Sequence, residues 1–281
     1  MTRWIATYLN ILARVAPVKA QELTFKLICH PRALTLDATD LKFLNDGYEK
    51  KLDVGKRLIH YYEFGQGNQT VLLLHGWKEN AARWQHLVPQ LLETGYRVLA
   101  LDAPGHGKNK GKHLNLHLYA QTIQALLHKE ETITHAITHS FGGLALAYTL
   151  AQFRPDHRIQ RIVSQGCPYN MIYTMDYTQK ILPYNAHVRK LMDEKILEIT
   201  GLPIQHIDIG RFTKQHGIPV FFQGGSEDRI TPFPPVVSRI DTVENASHTT
   251  YPEIKHPLKS EEITSDAIHF IKQITDVLTT I

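Results

Sequence analysis

The run Ile137-Thr138-His139-Ser140-Phe141-Gly142-Gly143 sets a serine between an apolar stretch and a segment of helical pattern. A serine on so sharp a strand-to-helix turn carries its hydroxyl above the sheet edge, and small neighbours keep the turn from colliding with adjacent backbone. Ser140 is therefore the candidate nucleophile, and the chemistry open to it is acyl transfer assisted by a base and an acid. Other chemistries lack a residue set. His113 and His117 are four apart, as are His135 and His139, but the second pair straddles a strand and a turn, and no H-E-x-x-H or carboxylate partner completes a zinc set, so no metal is expected. The glycines at 105, 107 and 111 do not form a phosphate loop, and Gly65-Gln66-Gly67 lacks the third glycine of a dinucleotide turn, so no cofactor is expected. Cys29 and Cys167 form neither a disulfide framework nor a redox pair, which suits a reducing, cytoplasmic compartment.

Ser140 needs a scaffold. Lys51 to Val54 and Arg57 to Phe64, joined around Gly55, read as a hairpin. Val71 to Leu74 is a continuous apolar run, as in a strand covered on both faces. A helix with the stripe Trp84, Leu87, Val88, Leu91 and Leu92 follows, and Gly95 is placed to end it. Strands are expected at 97–102, 132–138, 159–164 and 220–223, and helices at 116–128, 140–153 and 267–278. The alternation predicts an α/β fold, a mostly parallel twisted sheet with helices on both faces. It breaks between Gly166 and about Arg211, a stretch rich in tyrosine and methionine that reads as a helical cap insertion over the C-terminal edge of the sheet. The expected organisation is a helical extension over 1–48, a core over 49–166 and 212–281, and a cap over 167–211.

With strand order in view, the motifs resemble those of the α/β-hydrolase superfamily of serine hydrolases, in an esterase-like, poorly characterised bacterial branch. His75-Gly76-Trp77 follows the first core strand, Asp102-Ala-Pro104-Gly105-His106-Gly107 follows the next, and Ser140 sits in an elbow similar to G-x-S-x-G, with Thr138 in place of the first glycine. The resemblance implies that the main-chain N–H groups of Trp77 and Phe141 form an oxyanion hole. It implies that Asp228, in Gly225-Ser-Glu-Asp228 with Pro232 four residues on, is the acid, and that His248, in Glu244-Asn-Ala-Ser-His248, is the base. Asp102 and His106 are given no chemical step. His75, Tyr169 and Tyr173 are taken as substrate-binding positions.

The sequence has 281 residues, 31 basic and 27 acidic, a net charge of +4 that is too mild to imply nucleic acid. The basic run from Lys108 to His113 reads as a solvated loop. Trp4, Ile5, Tyr8, Leu9, Leu12 and Val15 form one helical stripe, expected to pack on the domain, with peripheral membrane contact through residues 2–16 as the alternative. The expected function is hydrolysis of a carboxylic ester or related acyl bond of a small molecule through a Ser-His-Asp triad and an acyl-enzyme. The same triad also serves thioesterases, carbon–carbon hydrolases and lyases, and the scaffold can work as a non-catalytic binding protein.

Overall fold

Gly55, at φ +60°, turns the chain between β1 (Tyr48–Val54) and β2 (Arg57–Phe64), which pair antiparallel with Val54 opposite Arg57. In the computed structural model, which describes residues 2–109 and 111–273, three helices precede this hairpin: α1 (Thr2–Val15), α2 (Pro17–Ile28) and α3 (Ala38–Asn45). Then follow β3 (Thr70–Leu74), a 3₁₀ turn (Ala81–His86), α4 (Val88–Glu93), β4 (Arg97–Leu101), α5 (Leu116–Lys129), β5 (Ile133–His139), α6 (Phe141–Tyr148) and β6 (Arg161–Gln165). The rest is α7 (Met171–Ile181), α8 (Ala186–Thr200), α9 (Ile209–His216), β7 (Val220–Gly225), α10 (Pro234–Ile240), β8 (Ala246–Tyr251) and α11 (Glu261–Lys272).

The strands form one eight-stranded sheet in the order β1-β2-β4-β3-β5-β6-β7-β8, parallel from β4 through β8. Every residue of β3, β5 and β7 is buried, which explains the unbroken apolar run Val71 to Leu74 in β3. Alternate side chains serve opposite faces: Leu72 and Leu74 join the layer of α5 and α6, while Val71 and Leu73 join that of Trp84, Leu91 of α4 and Ala267 of α11. Asparagines cap the helices on the site side. Asn115, Asn170 and Asn185 accept from the main-chain N–H groups of Leu118, Tyr173 and Val188, satisfying donors that a helix start leaves free.

Three sequence expectations change. The helix expected through Trp84 and Leu92 is a 3₁₀ turn followed by α4, because Pro89 has no N–H to continue a helix from the preceding turn. The closing helix begins earlier, at Glu261 behind the cap Ser260, and its expected end at Leu278 lies outside the described residues, as does Lys110 of the basic run. The amphipathic stripe of α1 is divided: Ala6, Leu9 and Ala13 are buried, whereas Trp4, Tyr8 and Val15 are exposed. Ala6 and Ala13 are small enough to let the helix close on α2 and α8, and that contact turns the larger side chains outward.

Candidate active site

Ser140 follows β5 directly and has φ +51° and ψ −124°, a conformation that L side chains rarely adopt and that costs of order 1–3 kcal/mol. Neighbouring strands hold it there. Its N–H donates to Gln165 O of β6 at 2.7 Å, and a Cβ on Gly142 would come within 2.6 Å of Leu74 O, so only glycine lets the turn pass the end of β3. Thr138, standing where the resemblance expects glycine, is fully buried and donates from Oγ1 to Val163 O at 3.2 Å. The strand thus absorbs its side chain, and the elbow forms without the first glycine.

The ring brought to Ser140 is that of His256. Its Nε2 lies 3.1 Å from Ser140 Oγ and its Nδ1 2.8 Å from Asp228 Oδ2. A carboxylate only accepts, so Nδ1 carries the proton and Nε2 is free to accept from the serine hydroxyl. Asp228 Oδ1 accepts the main-chain N–H groups of Ile230 and Thr231, both at 2.8 Å, and Thr231 Oγ1 contacts both Asp228 Oδ2 and His256 Nδ1. Burial raises the Asp228 carboxyl, but the hydrogen bond and charge of His256 and the donors of Thr231 outweigh it, leaving the group below its ordinary value.

His248, expected as the base, is not at this site. It lies within β8, with Nε2 3.4 Å from Asp241 Oδ1 and its ring against Phe233. The segment that carries His248 is an edge strand, Ala246–Tyr251, and the loop that returns to Ser140 comes after it. Two signals could have located the base: the β-branched and aromatic run Thr249-Thr250-Tyr251, which favours a strand, and His256 as the histidine between that strand and the closing helix.

The loop after β3 stands against the serine. A Cβ on Gly76 would meet Ser140 Cβ at 2.8 Å, and the rings of Trp77 and Phe141 pack edge to face at 5.7 Å. The side chains of the two residues expected to supply oxyanion donors thus pack against each other next to Ser140. His75, expected to touch substrate, is instead completely buried: Nδ1 donates to Gly76 O at 2.7 Å and Nε2 accepts from Ala103 N at 2.9 Å. Burial and the neighbouring His106 push its imidazole down to about 3, so it is a neutral tie between two loops. Asp102, raised to about 6 by burial, accepts from the N–H groups of Ala81 and Lys108, and His106 Nε2 accepts from Lys78 N. The rings of Tyr169 and Tyr173 pack tilted with centres 4.8 Å apart, and Tyr173 donates its hydroxyl to Ile230 O in the Asp228 loop.

A second cluster, which the sequence reading missed, lies under the site. Glu79 Oε2 accepts from Gly76 N at 2.8 Å and faces His139 Nδ1 at 2.8 Å, while Arg83 donates to Glu79 Oε1 and, at 2.8 Å, to Pro257 O. His139 Nε2 donates to His256 O at 2.9 Å. Burial raises the Glu79 carboxyl, yet His139 and Arg83 hold it far below the carboxylate range, and burial with Arg83 pushes His139 down to about 4. Glutamate and arginine at i and i+4 spacing, Glu79 and Arg83, were the available signal.

Compared with known proteins, residues 69–189 match the family model described as alpha/beta hydrolase fold. The chain is 34% identical over 125 residues to the 2-hydroxy-6-oxononadienedioate/2-hydroxy-6-oxononatrienedioate hydrolase of Escherichia coli K12, a match spanning 41% of this chain and only 42% of that relative. Among solved structures, ferulic-acid-bound Est1E from Butyrivibrio proteoclasticus superposes with a TM-score of 0.66 at 19% identity, covering 79% of this chain and 97% of that one. A Pyrococcus furiosus esterase gives 0.65 at 19% identity over 86% and 96%, and a Bacillus anthracis bromoperoxidase 0.62 at 19% identity over 80% and 100%. The chain has the α/β-hydrolase fold, and the stretch that matches the family is residues 69–189.

Proposed function

We propose that this chain is a serine hydrolase that cleaves a carboxylic ester or related acyl bond. The observation that carries the reading is the His256 ring, hydrogen-bonded at once to Ser140 Oγ and Asp228 Oδ2. His256 Nε2 takes the hydroxyl proton as Ser140 Oγ bonds to the acyl carbon, and the Trp77 and Phe141 N–H groups stabilise the oxyanion. The carbon–oxygen bond to the leaving group then breaks as His256 returns the proton to it. Water, deprotonated by the same nitrogen, attacks the acyl-enzyme and releases the acid and free Ser140. General-base action supplies about 10²–10⁴ in rate, and a missing oxyanion donor costs about 10²–10³. Tyr169 and Tyr173, beside the Asp228 loop, are the proposed substrate-binding side chains, and the solved relatives named esterases support an ester substrate.

A second reading, hydrolysis of an oxo-dienedioate of the kind named for the Escherichia coli relatives, has the 125-residue similarity in its favour. It uses the same three residues. Labelling with a fluorophosphonate, followed by mass spectrometry, tests what both share: an adduct on Ser140 that Ser140→Ala abolishes is expected, and a folded protein that takes no label overturns both. A panel of esters, thioesters and oxo-dienedioates then separates them.

A further inference from the structure

Helix α1 meets the rest of the described chain on one face. Ala6, Leu9 and Ala13 are buried, Asn10 Oδ1 accepts from Asn185 N at 2.8 Å, and His187 Nε2 contacts Ala13 O at 3.1 Å, so the helix is fastened to α8. Behind it, Gln21 of α2 donates to Leu191 O, also in α8. The outer face presents Trp4, Tyr8, Ile11 and Val15, which at 3.6 residues per turn fall within an arc of about 60°. Val18, at the start of α2, is exposed as well. All five are more than half exposed, from 57% for Tyr8 to 82% for Trp4.

Residues 2–21 contain Arg3, Arg14 and Lys19 and no carboxylate. By helical geometry Arg3, Thr7 and Arg14 form a polar row along one side of the apolar stripe. Such a stripe left in water is unfavourable, and its aromatic composition suits the headgroup region of a bilayer, where tryptophan and tyrosine settle at the boundary of hydrocarbon and water. Among the described residues no helix is long and apolar enough to cross a membrane, so the contact is one of lying on the surface. Charge distinguishes a lipid surface from a second copy of the chain. Pairing two α1 faces would bring Arg3 and Arg14 of both copies together, whereas an anionic leaflet neutralises them.

We propose that α1 and the start of α2 form a docking surface for anionic phospholipid membranes, with Trp4, Tyr8, Ile11 and Val15 entering the headgroup layer and Arg3, Arg14 and Lys19 contacting lipid phosphates. Because α1 is fastened to α8, the membrane meets the chain on the side of the helices inserted between β6 and β7. The proposal stands on this surface alone and does not depend on the hydrolase reading.

Vesicle flotation of the full chain tests it, comparing phosphatidylcholine alone with phosphatidylcholine mixed with phosphatidylglycerol. Binding should require phosphatidylglycerol and weaken as salt is raised. Each of Arg3→Gln, Arg14→Gln and Lys19→Gln should reduce partitioning about fivefold. The combined variant Trp4→Ser, Tyr8→Ser and Ile11→Ser should reduce it by more than about tenfold while thermal unfolding stays cooperative. Three results would overturn the proposal: no binding to phosphatidylglycerol vesicles, variants that bind as the parent does, or a dimer in light scattering that the apolar variant dissolves.

Discussion

His139 Nε2 donates to the main-chain carbonyl of His256 at 2.9 Å, so the residue before the candidate nucleophile holds the loop of the candidate base. Arg83 grips the next carbonyl, Pro257 O, and Glu79 joins Arg83 and His139 to the Gly76 N–H. Four segments that approach the reacting hydroxyl are thereby fixed to one partly buried carboxylate. Removing it should loosen all of them. Glu79→Ala leaves a buried guanidinium without its partner, and a loss of about 3 kcal/mol of stability is expected, read as a fall in denaturation midpoint. In His139→Ala the His256 loop loses the tie at the His256 carbonyl, and labelling of Ser140 should slow while substrate KM changes little.

The identity of the base gives the sharpest test of the site. His256→Ala should cost about 10⁴ or more in kcat, as should Asp228→Asn, which leaves the ring without its orienting acceptor. His248→Ala, on the outer part of β8, should change kcat by less than about twofold, since the surface position touches no reacting group. Steady-state rates on any substrate that labels through Ser140 decide between the two histidines.

Backbone strain at the elbow predicts opposite effects on stability and activity. At φ +51° and ψ −124°, Ser140 occupies a region that glycine enters at little cost. Ser140→Gly should therefore abolish turnover yet raise the unfolding free energy above that of Ser140→Ala, by about 1 kcal/mol. Equal melting temperatures for the two variants would contradict this account of the turn.

Acid should weaken the fold well above the carboxylate range. His75 and His135 are buried and neutral, with imidazoles pushed by burial down to about 3 and about 4. In the unfolded chain each titrates near 6.5. Between about pH 6.5 and 4 the unfolded state therefore binds a proton at each of these rings that the folded state refuses, and stability falls as pH drops, by about 1.4 kcal/mol per unit for each ring. Asp228, held below its ordinary value, contributes stability that is present above about pH 4 and lost only below it. Urea midpoints measured across this range should decline on acidification, and His75→Gln should flatten the slope.

The amino-acid sequence by itself determined the elements and two of the three residues at the candidate centre. Apolar runs such as Val71 to Leu74 specify strands covered on both faces, and Ser140 and Asp228 each follow a buried strand within a few residues, so local pattern and local position coincide. The base did not follow this rule. β8 is an edge strand, mostly open to solvent along Ala246 to Thr250, and without a buried face it has no apolar period to mark where it starts or stops. Which of His248 and His256 reaches Ser140 is a question of distance across the top of the sheet, and only the folded chain answers it. The same holds for α1, whose 3.6-residue period announces a helix, while the contact of Ala6 and Ala13 with neighbours far along the chain decides which side faces in. Likewise the Glu79, Arg83 and His139 cluster joins residues up to 60 positions apart, a spacing that no sequence period encodes and that burial of their charges against one another fixes.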